Sequence, residues 1–191
     1  TGDEHQDTHT MPIPGSDEER ALRSAAIYGP NASGKTNVLL ALNAMREVVV
    51  KSATSMQRGD DIDPIDPFRL TEEGRTSPTK FRVSFAIDEW ENEKEFEYRF
   101  EATRDRVISE GLYTFPHGRR RTWYERTLDS NHPDGSFNKS SYFGGQKEQI
   151  WQATRPNALY LSTAAQLNNE DLSVVFDWFR NTLTYLAGRR L

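Results

Sequence analysis

A glycine-rich segment, GPNASGKT at positions 29–36, constrains the fold of this chain more than any other feature. It matches the pattern G-x-x-x-x-G-K-[ST] at every fixed position. Glycines let a backbone wrap closely around a ligand, and successive N–H groups at a helix N-terminus attract an anion. The segment therefore predicts a phosphate-binding loop, or P-loop, which requires a strand before it and a helix after it.

The residues on both sides of the loop have these patterns. The stretch 21–28, ALRSAAIY, is apolar enough for a buried strand. Behind the loop, apolar side chains at helical spacing predict a helix over about 35–51; they are Val38, Ala41, Leu42, Met45 and Val49. A glycine turn without a ligand is the alternative, and the strand and helix patterns disfavour it.

The residue types of the loop indicate a nucleoside triphosphate and Mg²⁺ as its ligands. We expect Lys35 to contact the β- and γ-phosphates and the Thr36 hydroxyl to bind the Mg²⁺ that bridges them. The remaining loop residues are expected to surround the phosphates; they are Gly29, Asn31, Ala32, Ser33 and Gly34.

The middle of the chain has the alternation of β-strands. Apolar and polar residues alternate over 81–87 and again over 96–102, which predicts a hairpin. VISEGLYTF and RTWYERTL predict two further strands, separated by a turn at 116–118. We therefore expect an antiparallel lobe of three or four strands. Farther on, a short strand is predicted at 158–162, and an amphipathic helix is predicted after the capping residues Asn168 and Asn169.

These patterns divide the chain into six segments. An extended or mobile lead-in (1–20) precedes the strand, loop and helix (21–52), which an irregular connection (53–79) joins to the β lobe (80–128). A loop-rich connection (129–157) then leads to a strand and the start of a helical lobe (158–191).

The segment YGPNASGKTNVL resembles the P-loop of the ABC-type ATPase heads of SMC-like, RecF-like and OLD-type proteins, whose asparagines correspond to Asn31 and Asn37. The order of the elements is also similar, and YLSTAAQLNNEDLSVVFDWF resembles a region of bacterial AAA-type ATP-binding proteins of phage defence. The resemblance implies an α/β fold: a P-loop NTPase of ABC-head type with an inserted antiparallel β lobe and the start of a helical lobe, as a partial domain.

The same resemblance implies the ligands and partners. ATP and Mg²⁺ would bind with Asn37 among the contacts, and Gln166 would be the glutamine-loop residue that touches Mg²⁺ and the attacking water. A glutamine exposed at a helix start is the equal alternative for Gln166. The partner would be a second head, in a homodimer, and the effector would act on nucleic acid or in antiviral defence.

ABC heads also contain a Walker B strand that ends in Asp-Glu, a signature helix and a switch histidine. The sequence VSFAIDE, ending at Asp88 and Glu89, imitates Walker B, but its apolar residues alternate, whereas a central strand is continuously apolar. We interpret it as a hairpin strand. The missing elements predict that these residues are a fragment, which binds ATP without efficient turnover.

Composition excludes several other classes. The chain has no cysteine, so disulfides and thiolate metal sites are excluded. It has no apolar run of about 18 residues, which disfavours a membrane partner, and we expect a cytoplasmic protein. The net charge of −5 argues against general coating of nucleic acid, although the basic cluster at His117 and Arg119 to Arg121 is either a local contact for phosphate or an acidic partner, or a solvated hairpin tip.

Two other functions remain open for a P-loop chain. One is a kinase for a small molecule, which needs an acceptor site and an arginine-rich lid; the predicted β lobe argues against it. The other is a module that senses nucleotide and interacts with a partner without hydrolysis.

Overall fold

A computed structural model of the chain describes residues 6–13, 20–67, 71–88, 95–129 and 132–185. Its helices are α1 (Gln6–His9), α2 (Lys35–Lys51), α3 (Glu72–Thr76), α4 (Lys147–Ala153), α5 (Tyr160–Gln166) and α6 (Glu170–Asp177). Its strands are β1 (Thr10–Pro12), β2 (Arg20–Leu22), β3 (Thr79–Ala86), β4 (Glu95–Ala102), β5 (Val107–Thr114), β6 (Arg121–Asp129) and β7 (His132–Lys139). A 3₁₀ turn covers Pro116–Gly118, and a π-helical turn over Trp178–Thr182 extends α6.

The main sheet is an antiparallel meander in the order β3-β4-β5-β6-β7. The predicted hairpin is confirmed, since Phe81 pairs with Phe100 and Phe85 with Phe96. The segment that joins its two strands, 89–94, lies outside the described residues. The connection over 129–157 was predicted to be loop-rich, but β7 adds a fifth strand along β6 and α4 follows it. The Ser-, Asn- and Gly-rich sequence there lacks the alternation of a strand, and its residue types do not favour one. The strand conformation of β7 therefore depends on its backbone pairing with β6.

The two faces of the sheet differ in chemistry. One face is apolar and packs against the helices: Phe85 stacks on Trp178 at 4.0 Å between ring centroids, and Tyr124 lies 4.8 Å from Tyr160. The opposite face carries ion pairs, including Arg82 with Glu97. The sheet and the helices α4 to α6 therefore form two layers around one aromatic core.

The stretch 158–162 was predicted as a strand, but its residues 160–162 begin α5, because a short apolar run fits a buried helix as well as a strand. The lead-in over 1–20 was predicted as extended or mobile. Of its described residues, 10–12 form the extended strand β1, which pairs with β2, whereas 6–9 form α1.

The helix after the loop is confirmed at Lys35–Lys51. Of the strand predicted over 21–28, only Ala21 and Leu22 belong to a strand, as the end of β2, and no strand directly precedes the loop. Residues 24–30 have no regular structure, and Tyr28 is 90% exposed. A strand needs a partner for its backbone, and no described strand lies beside this stretch. Helix α2 packs through its second half only, since Val48 and Val49 are fully buried whereas Val38 is 58% exposed.

None of the helices in the described ranges has the length and hydropathy of a segment that crosses a bilayer.

Candidate functional site: the glycine-rich loop and helix α2

The loop at 29–36 takes its shape from two residues in the left-handed region. Ala32 has φ 63° and Gly34 has φ 86°, and the Ser33 amide donates to the Pro30 carbonyl at 3.3 Å. Gly34 needs the conformational freedom of glycine, because side chains rarely adopt this φ. At Gly29 a Cβ would lie 3.0 Å from the Ser33 hydroxyl oxygen, so a side chain there would require a small shift of Ser33.

The Lys35 side chain lies inside the loop and donates hydrogen bonds to loop residues. Its ammonium donates to the carbonyls of Gly29 and Pro30, both at 2.7 Å, and to the Ser33 hydroxyl at 3.4 Å. The positive charge thus lies at the centre of the loop, on the first residue of α2. Lys35 was predicted to contact the β- and γ-phosphates, and its ammonium lies inside the loop that is expected to surround them.

The N-terminus of α2 is also suited to an anion. Gly34 caps the helix without a side-chain hydrogen bond, and the first turn contains no acidic residue. The first N–H groups of a helix have no partner within it, and its dipole favours negative charge there. Thr36 and Asn37, which directly follow Lys35 in this turn, are both exposed. The residues present therefore fit a triphosphate and the Mg²⁺ that accompanies it.

Gln166 is not brought to the loop in this structure. It is the exposed last residue of α5, not a residue after a strand. Helix α5 contacts the far end of α2, where the Ser162 hydroxyl donates to the Val49 carbonyl at 2.5 Å and the Leu159 amide donates to Ser52 at 3.1 Å. No hydrogen bond of the described residues joins Gln166 to Lys35 or Thr36.

The contacts of α5 with α2 lie at the end of α2 that is far from the loop. Ser162 contacts both the Ser52 hydroxyl, at 3.0 Å, and the Val49 carbonyl. At about 1.5 Å per residue, Val49 lies about 21 Å along α2 from Lys35. A catalytic role for Gln166 therefore requires that the helices approach the loop, and it stays a prediction.

Asp88 follows the edge strand β3 and is exposed. The pairing of Ala86 with Glu95 places the end of this strand beside the start of β4. Glu89 lies outside the described residues. This position is that of a hairpin end, as the alternation predicted. Within the described residues, no group of three or more His, Asp or Glu side chains that could hold a metal ion occurs.

Replacement of Asp88 by Asn together with Glu89 by Gln is therefore expected to leave ATP hydrolysis by the full-length protein close to the wild-type rate. An exposed hairpin end contributes no charge to a phosphoryl-transfer site. The measurement is steady-state phosphate release, with Lys35→Ala as the inactive reference. A collapse of turnover with unchanged ATP binding would show that this pair is the Walker B element.

The sequence analysis missed a buried charged cluster between the sheet and α5. The side chain of Glu110 is fully buried and accepts hydrogen bonds from Arg126 Nε at 2.7 Å and from the hydroxyls of Tyr98 and Tyr124, both at 2.8 Å. Burial and the Glu110 carboxylate raise the pKa of both tyrosines well above the ordinary value, so their hydroxyls stay protonated and donate. The signal for this cluster in the sequence was Glu110, a glutamate at a strand position whose side chain faces the core.

The same cluster holds the beginning of α5. The backbone amides of Tyr160 and Leu161 donate to the Glu110 carboxylate at 2.7 and 3.0 Å, and Arg126 donates to the Ala158 carbonyl at 2.6 Å. A carboxylate at a helix N-terminus satisfies amides that lack partners within the helix. The β lobe therefore fixes the position of the helix that carries Gln166.

The loop, its central lysine and the uncapped helix behind it are consistent with a P-loop NTPase, although no strand directly precedes the loop. A protein-family profile described as "AAA domain, putative AbiEii toxin, Type IV TA system" matches residues 24–185, and the chain belongs to this family. Searches of curated proteins and of solved structures gave no significant match. Membership in an AAA family implies nucleotide binding, typically with Mg²⁺, and ATPase activity as a class.

Proposed function

We propose that this chain is the ATP-binding part of an ABC/SMC-like ATPase head. The observation that carries the proposal is the position of the Lys35 ammonium, which lies inside the loop at the uncapped N-terminus of α2. Lys35 would contact the β- and γ-phosphates, the loop amides would surround them, and the Thr36 hydroxyl would bind Mg²⁺. The bound Mg²⁺ would offset the negative charge of the phosphates.

In this proposal a second copy of the head closes over the nucleotide, and hydrolysis reopens the pair. Gln166 would approach Mg²⁺ and the attacking water on closure, which requires that α5 and the loop come closer together. The effector would act on nucleic acid or in antiviral defence. The family description names a putative AbiEii toxin of a Type IV TA system, and the effector and its target are part of the proposal.

Steady-state phosphate release by the full-length protein, measured with and without DNA, tests the proposal. A head of this type releases phosphate from ATP and loses this activity in Lys35→Ala. A small-molecule kinase would consume ATP only in the presence of an acceptor, without phosphate release. A sensing module would bind ATP without consuming it. Either the kinase result or the sensing result would contradict the proposal of an ATPase head.

The 191-residue chain by itself is expected to bind ATP but to release phosphate at a rate near background. Removing one group that stabilises a transition state typically costs a hundredfold or more. In this sequence we identified no signature helix and no Asp-Glu pair at the end of a continuously apolar strand, since the strand that ends at Asp88 and Glu89 alternates. Phosphate release by the purified chain is compared with that of the full-length protein at equal ATP concentration. Equal rates, lost in Lys35→Ala, would show that the catalytic site is complete within these residues.

A further inference from the structure

A second feature with ligand-binding chemistry lies at the tip of the β5–β6 hairpin. A groove of about 680 Å³ opens there beside the 3₁₀ turn. Its charged and titratable lining residues are His117, Arg119, Arg120 and Arg121, and the described residues that line it include no carboxylate. In a chain of net charge −5, this is a local concentration of positive charge that attracts anions.

The guanidinium groups of the groove differ in how they are held. Arg120 lies 3.8 Å over the ring of Tyr113 and pairs with Glu125 at 3.4 Å, so its position is fixed. Arg119 is exposed and has no ion pair with any described residue. An arginine without a carboxylate partner retains its charge and its planar fork of donors for a phosphate.

The groove also carries an exposed aromatic ring. Tyr142 is 53% exposed, and the guanidinium of Arg121 lies 4.4 Å from its ring centroid. The neighbouring Phe143 is buried and stacks on Trp123 at 5.8 Å with an interplanar angle of 6°, which anchors the segment that presents Tyr142. An exposed ring beside arginine is a platform on which an unpaired base stacks.

We propose that this groove binds single-stranded nucleic acid, with Arg119 on a phosphate and Tyr142 against a base. Basic side chains alone would fit any polyanion, including an acidic peptide. The exposed ring favours a nucleic acid, because stacking needs a planar partner, and it favours a single strand, because the bases of a duplex are stacked on each other. The proposal names the contact surface for the nucleic-acid-directed function proposed above, but binding at the groove requires neither ATP nor hydrolysis.

The experiment is fluorescence anisotropy of a labelled oligothymidylate with the full-length protein, without nucleotide, over a series of salt concentrations. Tyr142→Ala is expected to weaken binding by about fivefold to a hundredfold, and Tyr142→Phe to change it little. Arg119→Ser is expected to reduce the slope of log K against log salt by about 0.7, whereas Arg104→Ser, which removes an exposed arginine outside the groove, leaves the slope unchanged.

Three outcomes would overturn the proposal. They are wild-type binding by both Arg119→Ser and Tyr142→Ala, equal affinity for a fully paired duplex, and displacement of the oligonucleotide by poly-glutamate at equal charge concentration. The last would assign the groove to an acidic protein. Lys35→Ala is expected to bind the oligonucleotide normally, so failure of the groove and failure of the ATPase head give different results.

Discussion

Lys35→Ala is expected to lower the affinity for ATP by at least tenfold, or on the order of 1.5–3 kcal/mol. Two contributions are lost together. The substitution removes a charge-assisted contact to the β- and γ-phosphates, and it removes the ammonium that joins the carbonyls of Gly29 and Pro30. Without this link the loop has more conformations available, and ordering them on binding costs additional free energy.

Titration with a fluorescent ATP analogue measures this effect. Lys51→Ala is the matched control, because Lys51 is the last residue of the same helix and forms only an exposed pair with Glu47. We expect its affinity to equal that of the wild type. If a folded Lys35→Ala protein bound ATP with unchanged affinity, this loop would not be the phosphate-binding loop.

Glu110→Leu is expected to destabilise the protein by about 3–5 kcal/mol. The substitution leaves the guanidinium of Arg126, which is 7% exposed, as a buried charge without its carboxylate. It also removes the acceptor for the hydroxyls of Tyr98 and Tyr124. Buried donors that lose their acceptor carry the full cost of their desolvation.

A double-mutant cycle in urea separates this effect from a simple loss of packing. Arg126→Met alone is expected to destabilise strongly, and the pair Glu110→Leu with Arg126→Met less than the sum of the two, because no charge is then buried alone. Lys80→Ala, which breaks the exposed pair with Glu101, is the control and is expected to cost at most about 1 kcal/mol. Additive losses in the cycle, or a Glu110→Leu protein as stable as this control, would show that the cluster is not coupled.

The sequence was most informative where a signal is local. The loop pattern predicted a turn that the structure builds from Ala32 and Gly34, and helical spacing predicted α2 at Lys35–Lys51. Strand alternation predicted β3 to β6, and the Asn169 side chain caps α6 by accepting from the Leu172 amide at 3.0 Å. In each case neighbouring residues carry the information, because side-chain period and capping depend on a few consecutive positions.

Tertiary structure decided the features that need a distant partner. Strand β7 exists because β6 offers its edge, and residues 24–30 form no strand because no described strand lies beside them. The stretch at 158–162 became helix because its side chains pack against the end of α2 and its first amides reach Glu110.

The functional features divide in the same way. Lys35 and Thr36 could be predicted from the sequence as phosphate and Mg²⁺ contacts because one continuous segment forms the loop. The groove could not, since it joins Arg119 to Arg121 on one hairpin with Tyr142 from a segment beyond β7. The sequence determines which side chains can contact phosphate. Which of these side chains lie together is decided by the pairing of strands and the packing of helices, because each segment can form contacts with many others and only the whole fold selects among them.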